Sequence, residues 1–241
     1  NSRYARIAAA IRAYLEFFRD DRDQAELLLI ERVRFRDRKK ATYLEHREAI
    51  AEQWRGGINT LVNNAGVNHF GMFQDQQPAQ IELALAVNVH APIELCRGML
   101  PQLARQEIAH IVNMGSVFGS IGYPGYAVYS ATKFAMRGFT EALRRELSGS
   151  GVHVHYLAPR ATRTPINAAA VERMNAELGV AMDEPAVVGV ALCRMLERDL
   201  SFAVVGWPEK LFARVNAVLP GAVDGALRKQ LPVIRRYATG G

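Results

Sequence analysis

The chain has 241 residues with a net charge of +6, of which 49% are apolar and 22% charged, a composition typical of a folded globular protein. No apolar run approaches the ~20 residues needed to span a bilayer, and charges interrupt the apolar residues near the N-terminus, so we expect neither a transmembrane segment nor a signal peptide. The only two cysteines, Cys96 and Cys193, form no Cys-x-x-Cys pair. They argue against a disulfide framework and structural zinc, and they predict a cytoplasmic location.

The first 55 residues differ in amino-acid composition from the rest of the chain. They contain neither glycine nor proline, whereas glycine is frequent from Gly56 onward. Ile7, Ile11 and Leu15 recur at helical spacing. We therefore expect an all-helical N-terminal segment over 1–55 and a second domain over 56–241, with the boundary at the glycine pair 56–57.

Beyond that boundary, short apolar runs alternate with longer amphipathic ones. Four runs have strand length and β-branched content: 58–62, 108–114, 152–157 and 202–206. Four helical stretches lie between them: 78–87, 91–106, 127–147 and 185–198. This alternation predicts an α/β fold, a Rossmann-like parallel sheet with flanking helices joined by right-handed crossovers. The tail after Trp207 is basic, and it predicts two amphipathic stretches broken at Pro220-Gly221 and at Pro232, which we expect to dock on the core.

Ligands bind such sheets beyond the carboxyl ends of the strands. The first three predicted strands are followed by "NNAGVNHFG", "GSVFGSIGYPGYAVYSATK" and "APRATRTPIN". Each of these segments is rich in Gly, Asn, Ser, Thr or Pro, which suit turns and ligand contacts. We expect the three segments to converge on one site.

The segment "VYSATKFA" places Tyr129 and Lys133 on one face of a helix. One interpretation is a solvated surface pair. The other is a proton donor whose pKa, ordinarily ~10, is lowered by an adjacent ammonium. Tyr123 and Tyr126 are alternative tyrosines, and Ser120 is an alternative to Ser116 as a nearby hydroxyl.

Five motifs in chain order resemble the short-chain dehydrogenase/reductase family. They are "NNAG" at 63–66, Asn88 in "VNV", Ser116 thirteen residues before Tyr129, "YSATK", and "PRATRTP" from Pro159. Arg160 stands where the family usually has glycine. The resemblance runs from about Gly56 to the C-terminus.

This resemblance implies an NAD(P)-dependent oxidoreductase that interconverts a carbonyl and an alcohol. By resemblance, Tyr129 is the acid/base, Lys133 also contacts the cofactor ribose, Ser116 polarises the substrate oxygen, and Asn88 holds a water in a proton relay. The implied cofactor contacts are Asn63, Asn64, Ala65, Gly66, Tyr129, Lys133, Pro159, Arg160, Thr162 and Thr164. The choice between NAD and NADP stays open.

The resemblance also implies a partner and a substrate. Family members commonly form dimers or tetramers through the helix that carries Tyr129, where Ala131, Ala135 and Gly138 would allow close packing. The apolar segment 166–185, which closes over the substrate in this family, suggests an apolar or lipid-like carbonyl compound. Attachment to a membrane surface is an alternative role for the basic tail that we do not favour.

The chain departs from the family before "NNAG". The family begins with a strand, a glycine-rich turn and a helix that cradle the pyrophosphate. No glycine precedes Gly56, so we expect the first βαβ half to be missing and replaced by the helical segment. We therefore expect weak cofactor binding and an exposed edge on the strand "INTLV" unless another element covers it.

The segment 1–55 resembles, through "LLLIERVRFRDRKKATYLEHREAI", the ligand-binding helices of tetracycline-repressor-type regulators. "RVRFRDRKK" is either a solvated helical face or a nucleic-acid patch; we favour the former and expect no nucleic-acid partner. Two alternatives to an active enzyme follow: a catalytically inactive descendant that binds or oligomerises, and a regulator–dehydrogenase fusion fragment. We expect no metal site, because His69, His153 and His155 have no partners at metal-ligand spacing.

Overall fold

A computed structural model describes residues 58–164, 166–167 and 169–239. The predicted helical segment over 1–55 and its boundary at residues 56–57 lie outside the described residues. The prediction of an N-terminal replacement for the first βαβ half therefore stays a prediction.

Four parallel strands form one sheet, in the order β1-β2-β3-β4. They are β1 (Thr60–Asn63), β2 (Ala109–Met114), β3 (Val152–Ala158) and β4 (Phe202–Val204). The two central strands are almost completely buried, as expected when helices cover both faces of a parallel sheet. Within the described residues, β1 pairs only with β2.

Seven α-helices flank or follow these strands in the described part of the chain. They are α1 (Pro78–Leu85), α2 (Ala91–Leu103), α3 (Ala127–Glu146), α4 (Ala169–Glu177), α5 (Pro185–Glu197), α6 (Glu209–Val218) and α7 (Pro220–Ala238). Helices α1 and α2 connect β1 to β2, α3 connects β2 to β3, and α4 and α5 connect β3 to β4. This arrangement confirms the predicted Rossmann-like α/β fold.

The helical path from α1 to α2 contains a wider turn that the sequence pattern does not predict. Residues Ala86–His90 form a π-helical segment, and Asn88 within it is buried. A π-turn adds one residue to the helical turn and re-aims the side chain that it carries, which is why such turns recur at functional sites. Here the re-aimed side chain is Asn88.

The C-terminal tail packs on the sheet domain as two helices. Pro220 occupies the first turn of α7, where backbone N–H groups have no partner within the helix, so its missing N–H costs nothing. The break predicted at Pro220-Gly221 is therefore the start of this helix. The predicted break at Pro232 is wrong, because α7 continues to Ala238. Pro232 has no N–H to donate to the carbonyl of Arg228, but Arg228 is exposed, so water can hydrogen-bond to that carbonyl instead. Val223 and Ile234 are buried and hold the helix on the core. No helix of the described residues is long and apolar enough to cross a membrane.

Candidate active site

The carboxyl ends of β2 and β3 are joined by backbone hydrogen bonds just beyond the sheet. Gly115 N donates to Leu157 O at 2.7 Å, and Val117 N donates to Pro159 O at 3.0 Å. The predicted convergence of these two exits is therefore observed. Gly115 is required here, because a Cβ at this position would lie 2.1 Å from the buried ring of Tyr156.

Ser116 and Tyr129 face each other across this junction. Ser116 caps the short 3-10 helix Val117–Gly119, and its hydroxyl oxygen accepts a hydrogen bond from Phe118 N at 3.1 Å. Tyr129 lies in the first turn of α3 and is half-buried. Burial raises the pKa of Tyr129 to about 12, and a hydrogen bond with the Ser116 side chain acts in the opposite direction.

The alternative hydroxyls point elsewhere. Ser120 accepts a hydrogen bond from Arg137 at 2.8 Å, and the hydroxyl of Tyr123 donates to Gln230 at 2.9 Å. Tyr126 is buried in the apolar cluster that packs against α7, and burial raises its pKa. Ser116 and Tyr129 are thus the hydroxyl pair that the described structure brings together at the strand ends.

Lys133 lies one helical turn beyond Tyr129 and is almost completely buried, at 6% exposure. Its Nζ donates to Met114 O at 3.0 Å and lies 5.5 Å from the centroid of the Tyr129 ring. No acidic side chain of the described residues forms an ion pair with it. Burial lowers the pKa of Lys133 to about 8.

The expected influence of Lys133 on Tyr129 differs from the observed one. The sequence predicts that the ammonium lowers the tyrosine pKa, yet burial raises the pKa of Tyr129 to about 12. The physical reason is that both side chains lose water together, and the Lys133 ammonium is directed to the carbonyl of Met114. The prediction of a lowered tyrosine pKa is wrong for the protein without a bound cofactor.

Asn88 ties the loop after β1 to helix α3. Its Oδ1 accepts from Val67 N at 2.8 Å, and its Nδ2 donates to Val67 O at 2.8 Å and to Thr132 Oγ1 at 3.1 Å. A Cβ added at Gly66 would lie 3.3 Å from Asn88 Oδ1 and 3.8 Å from Lys133 Nζ. The "NNAG" loop therefore passes directly beside the two polar side chains predicted for the site.

Asn63 belongs to a buried polar chain across the sheet. It lies opposite Asn113 in register, and its Nδ2 donates to Asn113 Oδ1 at 2.7 Å; Asn113 Nδ2 in turn donates to Thr140 at 2.9 Å. Asn63 Oδ1 is buried and has no hydrogen-bond partner among the described residues. Asn64 and Ala65, which follow, are exposed at the strand end.

The segment after β3 is held by an ion pair of Arg160. Its guanidinium makes two hydrogen bonds to Asp183, at 2.7 and 2.9 Å, and one of 3.4 Å to Glu209. Thr162 Oγ1 donates to Arg160 O at 2.9 Å, and the backbone of Thr162 forms a parallel β-bridge with Asp183. The side chain that replaces the family's glycine thus anchors this segment to the chain around residue 183.

The remaining predicted cofactor contacts, Pro159 and Thr164, are both partly exposed in this segment. Pro159 lies at the joined strand ends through its carbonyl, which accepts from Val117 N. Thr164 O accepts a hydrogen bond from Asn167 N at 3.1 Å.

Two features of the structure are not evident in the sequence. Aromatic side chains surround Tyr129: Phe118 and Tyr126 lie with ring centroids 6.3 and 6.1 Å from its own. Away from this group, His155 lies beside His110 and Asp199, so the prediction that it has no metal-ligand partners is wrong. The sequence missed the first feature because packing brings the short 3-10 helix against the start of α3, and the second because the pairing of β2 with β3 places His110 beside His155.

A sequence profile of the short chain dehydrogenase family matches residues 32–175, more than half of the chain. The chain belongs to this family. The match begins before Gly56 and so includes part of the segment that the sequence analysis assigned to another class of protein. It also includes the Ser116, Tyr129 and Lys133 cluster.

Individual relatives agree with this assignment. A putative oxidoreductase SadH of Mycobacterium tuberculosis is 35% identical over 109 residues, which are 45% of this chain and 39% of that protein. A short chain dehydrogenase from Burkholderia cenocepacia, solved in complex with NADP, aligns with a TM-score of 0.64 and 22% identity over 76% of this chain and 73% of that one. A 3-ketoacyl-(acyl-carrier-protein) reductase from Brucella melitensis, solved with NADH, gives a TM-score of 0.61 and 22% identity over 68% of this chain and 72% of that one.

These likenesses differ in what they establish. At 22% identity, the two solved structures support the fold alone. The chain spans less than half the length of the curated relatives that it matches.

Proposed function

We propose that the cluster of Ser116, Tyr129 and Lys133 is the acid–base site of an oxidoreductase that interconverts a carbonyl and an alcohol with NAD or NADP. The observation that carries the proposal is the pairing of Ser116 with Tyr129 above a buried lysine at the carboxyl ends of two parallel strands. In open α/β sheets this is the edge where ligands bind. Nicotinamide, when bound, supplies or accepts the hydride.

In this proposal Tyr129 transfers the proton. Burial keeps its phenol protonated at neutral pH, since its pKa is about 12. A protonated phenol suits donation to the oxygen of a carbonyl that is being reduced. Ser116 donates a hydrogen bond to that same oxygen and holds it near the phenol.

Lys133 and the backbone of Gly66 fit the ribose of a nicotinamide cofactor better than its pyrophosphate. Lys133 donates a hydrogen bond from one of its three N–H groups to Met114 O, and the Gly66 backbone passes close to its Nζ. These two residues would hold the ribose, with Asn88 positioning the Gly66 loop through Val67. The pyrophosphate would need a glycine-rich turn, and residues 1–55 contain no glycine.

An apolar or lipid-like carbonyl compound is the substrate class that we propose. Tyr129 stands at the edge of an aromatic group formed with Phe118, Tyr123 and Tyr126. Aromatic faces would bury an apolar substituent beside the carbonyl that accepts the proton. The 3-ketoacyl substrate class named for the Brucella relative is compatible with such a surface.

A homo-oligomer is the partner that we propose for helix α3. One face of this helix exposes Ala131, Ala135 and Gly138, together with Phe134 at 44% exposure. Small residues beside an aromatic ring allow two helices to approach closely. The same observation supports the second candidate function, an inactive descendant with a role in oligomerisation.

A carbonyl-reduction assay separates the two functions. We would follow oxidation of NADH and NADPH, at cofactor concentrations high enough to offset weak binding, with apolar ketones as substrates. Tyr129→Phe removes the proton donor and is expected to lower kcat/KM by at least ~100-fold. Tyr123→Phe is the matched control, since that hydroxyl bonds to Gln230 instead of to Ser116. Equal activity of Tyr129→Phe and wild type would refute the proposed role.

A further inference from the structure

A second polar cluster lies on the sheet away from Ser116, between the start of β2 and the middle of β3. His110 on β2 and His153 on β3 are paired in register, and His155 follows two residues later, so the three side chains share one face of the sheet. Four residues of strand, ~13 Å, separate His110 from Met114 at the active-site end. This cluster is therefore distinct from the acid–base site.

The ring of His155 is held in one orientation by the backbone. Its Nδ1 lies 2.9 Å from Leu200 O. A carbonyl oxygen can only accept, so Nδ1 carries the proton and Nε2 keeps its lone pair. A histidine that donates one ring N–H to a carbonyl and leaves the other nitrogen available has the arrangement of metal-binding histidines.

Two further ligand atoms lie around His155 Nε2. His110 Nδ1 is 3.0 Å away, and Asp199 Oδ1 is 3.9 Å away. All three atoms lie within 4.8 Å of one another. Two ligand atoms on one tetrahedral zinc ion, each ~2.05 Å from it, are ~3.3 Å apart. The observed separations bracket that value, so small side-chain rotations would close the site around an ion.

Asp199 reaches this position through an unusual backbone conformation. It follows α5 with φ of 50° and is the one non-glycine residue with positive φ in the described part of the chain. Its carboxylate also accepts a hydrogen bond from His153 Nδ1 at 2.8 Å. Such a hydrogen bond from a neighbouring imidazole orients a ligating carboxylate.

We propose that His110, His155 and Asp199 bind one divalent transition-metal ion, with zinc the best match to two imidazoles and one carboxylate. The fourth position is taken by water, while His153 keeps its hydrogen bond to the Asp199 carboxylate. On binding, the proton of His110 moves from Nδ1 to the other ring nitrogen. The Asp199 side chain is 57% exposed and that of His153 37%, so the ion can enter from solvent.

The proposed ion would join three parts of the fold. His110 lies on β2, His155 on β3, and Asp199 in the turn that leads into β4. A ligand that binds only the folded state stabilises it by mass action. We therefore expect zinc to raise the melting temperature of the protein, and we assign the ion no part in the proton transfer at Tyr129.

The test uses untagged, chelator-treated full chain titrated with zinc by calorimetry, with melting temperatures measured by circular dichroism. Wild type is expected to bind one zinc ion per chain and to melt at a higher temperature with it. His110→Gln and Asp199→Asn should each weaken binding by at least ~10-fold. Asparagine tolerates the left-handed backbone, so the second variant keeps the turn. His90→Gln, an exposed histidine in the π-helical segment, is the matched control and should bind as wild type does.

A cobalt titration checks the ligand types. Cobalt bound by nitrogen and oxygen lacks the thiolate charge-transfer absorption that Cys96 or Cys193 would produce. Thiolate absorption, unchanged zinc affinity in both His110→Gln and Asp199→Asn, or no saturable binding by wild type would each overturn the proposal. The metal-free melting curves show whether each variant is folded, so a loss of binding can be separated from a loss of structure.

Discussion

Replacing Lys133 by methionine is expected to stabilise the protein in the absence of cofactor. The lysine is 6% exposed, and the described residues offer its ammonium the carbonyl of Met114 instead of a carboxylate. Burial lowers its pKa from 10.5 to about 8. At pH 7 that difference corresponds to about 3 kcal/mol of folding free energy lost to keeping a charge in the interior.

Methionine keeps most of the packed stem but cannot donate to Met114. The lost hydrogen bond costs about 1 kcal/mol, which leaves a net gain of about 2 kcal/mol in the free energy of unfolding. For a chain of this length, that gain raises the melting temperature by about 4–8 °C. The same substitution removes the cation proposed to hold the cofactor ribose, so stability and function should change in opposite directions.

The lowered pKa of Lys133 also determines how the stability difference between Lys133→Met and wild type changes with pH. Between about pH 8 and pH 10.5 the unfolded lysine still holds its proton while the folded one has lost it, so the stability of wild type rises with pH in this window. Lys133→Met lacks this rise. Its advantage over wild type should therefore shrink above pH 8 and reverse before pH 10.5. Differences between the two proteins cancel the contributions of other groups, such as Cys96, whose pKa burial raises to about 11.

The assay is urea unfolding followed by circular dichroism at pH 7, 8, 9 and 10, on wild type and Lys133→Met. Lys210→Met, an exposed lysine on α6, is the matched control and should change the unfolding free energy by less than ~0.5 kcal/mol. A variant less stable than wild type at pH 7, or a difference that does not change with pH, would refute the reasoning.

Two further substitutions test the packing around the site. Asn88→Ala leaves both the N–H and the carbonyl of Val67 without their side-chain partner, so we expect the urea midpoint to fall by the equivalent of about 2 kcal/mol with an unchanged slope; an unchanged midpoint would show that water replaces the amide. Gly115→Ala places a Cβ against the buried ring of Tyr156 and should cost about 3 kcal/mol or more, whereas Gly122→Ala, with open space around it, should cost almost nothing; similar melting temperatures for the two variants would contradict this contact.

The sequence predicted the local structure of the sheet domain closely. Apolar runs and their helical spacing depend on neighbours along the chain, and the predicted strand at 108–114 and helix at 127–147 agree with the observed β2 and α3 to within one residue. The break expected at Pro232 failed for a reason that local rules omit. The energy gained by packing Ile234 and Val223 outweighs the one hydrogen bond that proline removes.

Features that depend on contacts between distant residues escaped the sequence. The π-turn at Asn88 forms where the amide reaches Val67, twenty-one residues earlier. The pKa of Tyr129 depends on how deeply α3 packs, which helical spacing does not report. The sequence shows only that Arg160 replaces the family's glycine, whereas the structure shows its ion pair with Asp183. His110 lies beside His155 because of the register between β2 and β3, which the sequence does not reveal.

The central claim is that Lys133 and its neighbours form a working cofactor site, and a direct titration with NADH and NADPH tests it. The account predicts saturable binding by wild type, and the loss of that binding in Lys133→Met but not in Lys210→Met. Equal affinity in wild type and Lys133→Met, or no saturable binding by the folded wild type, would contradict the claim itself.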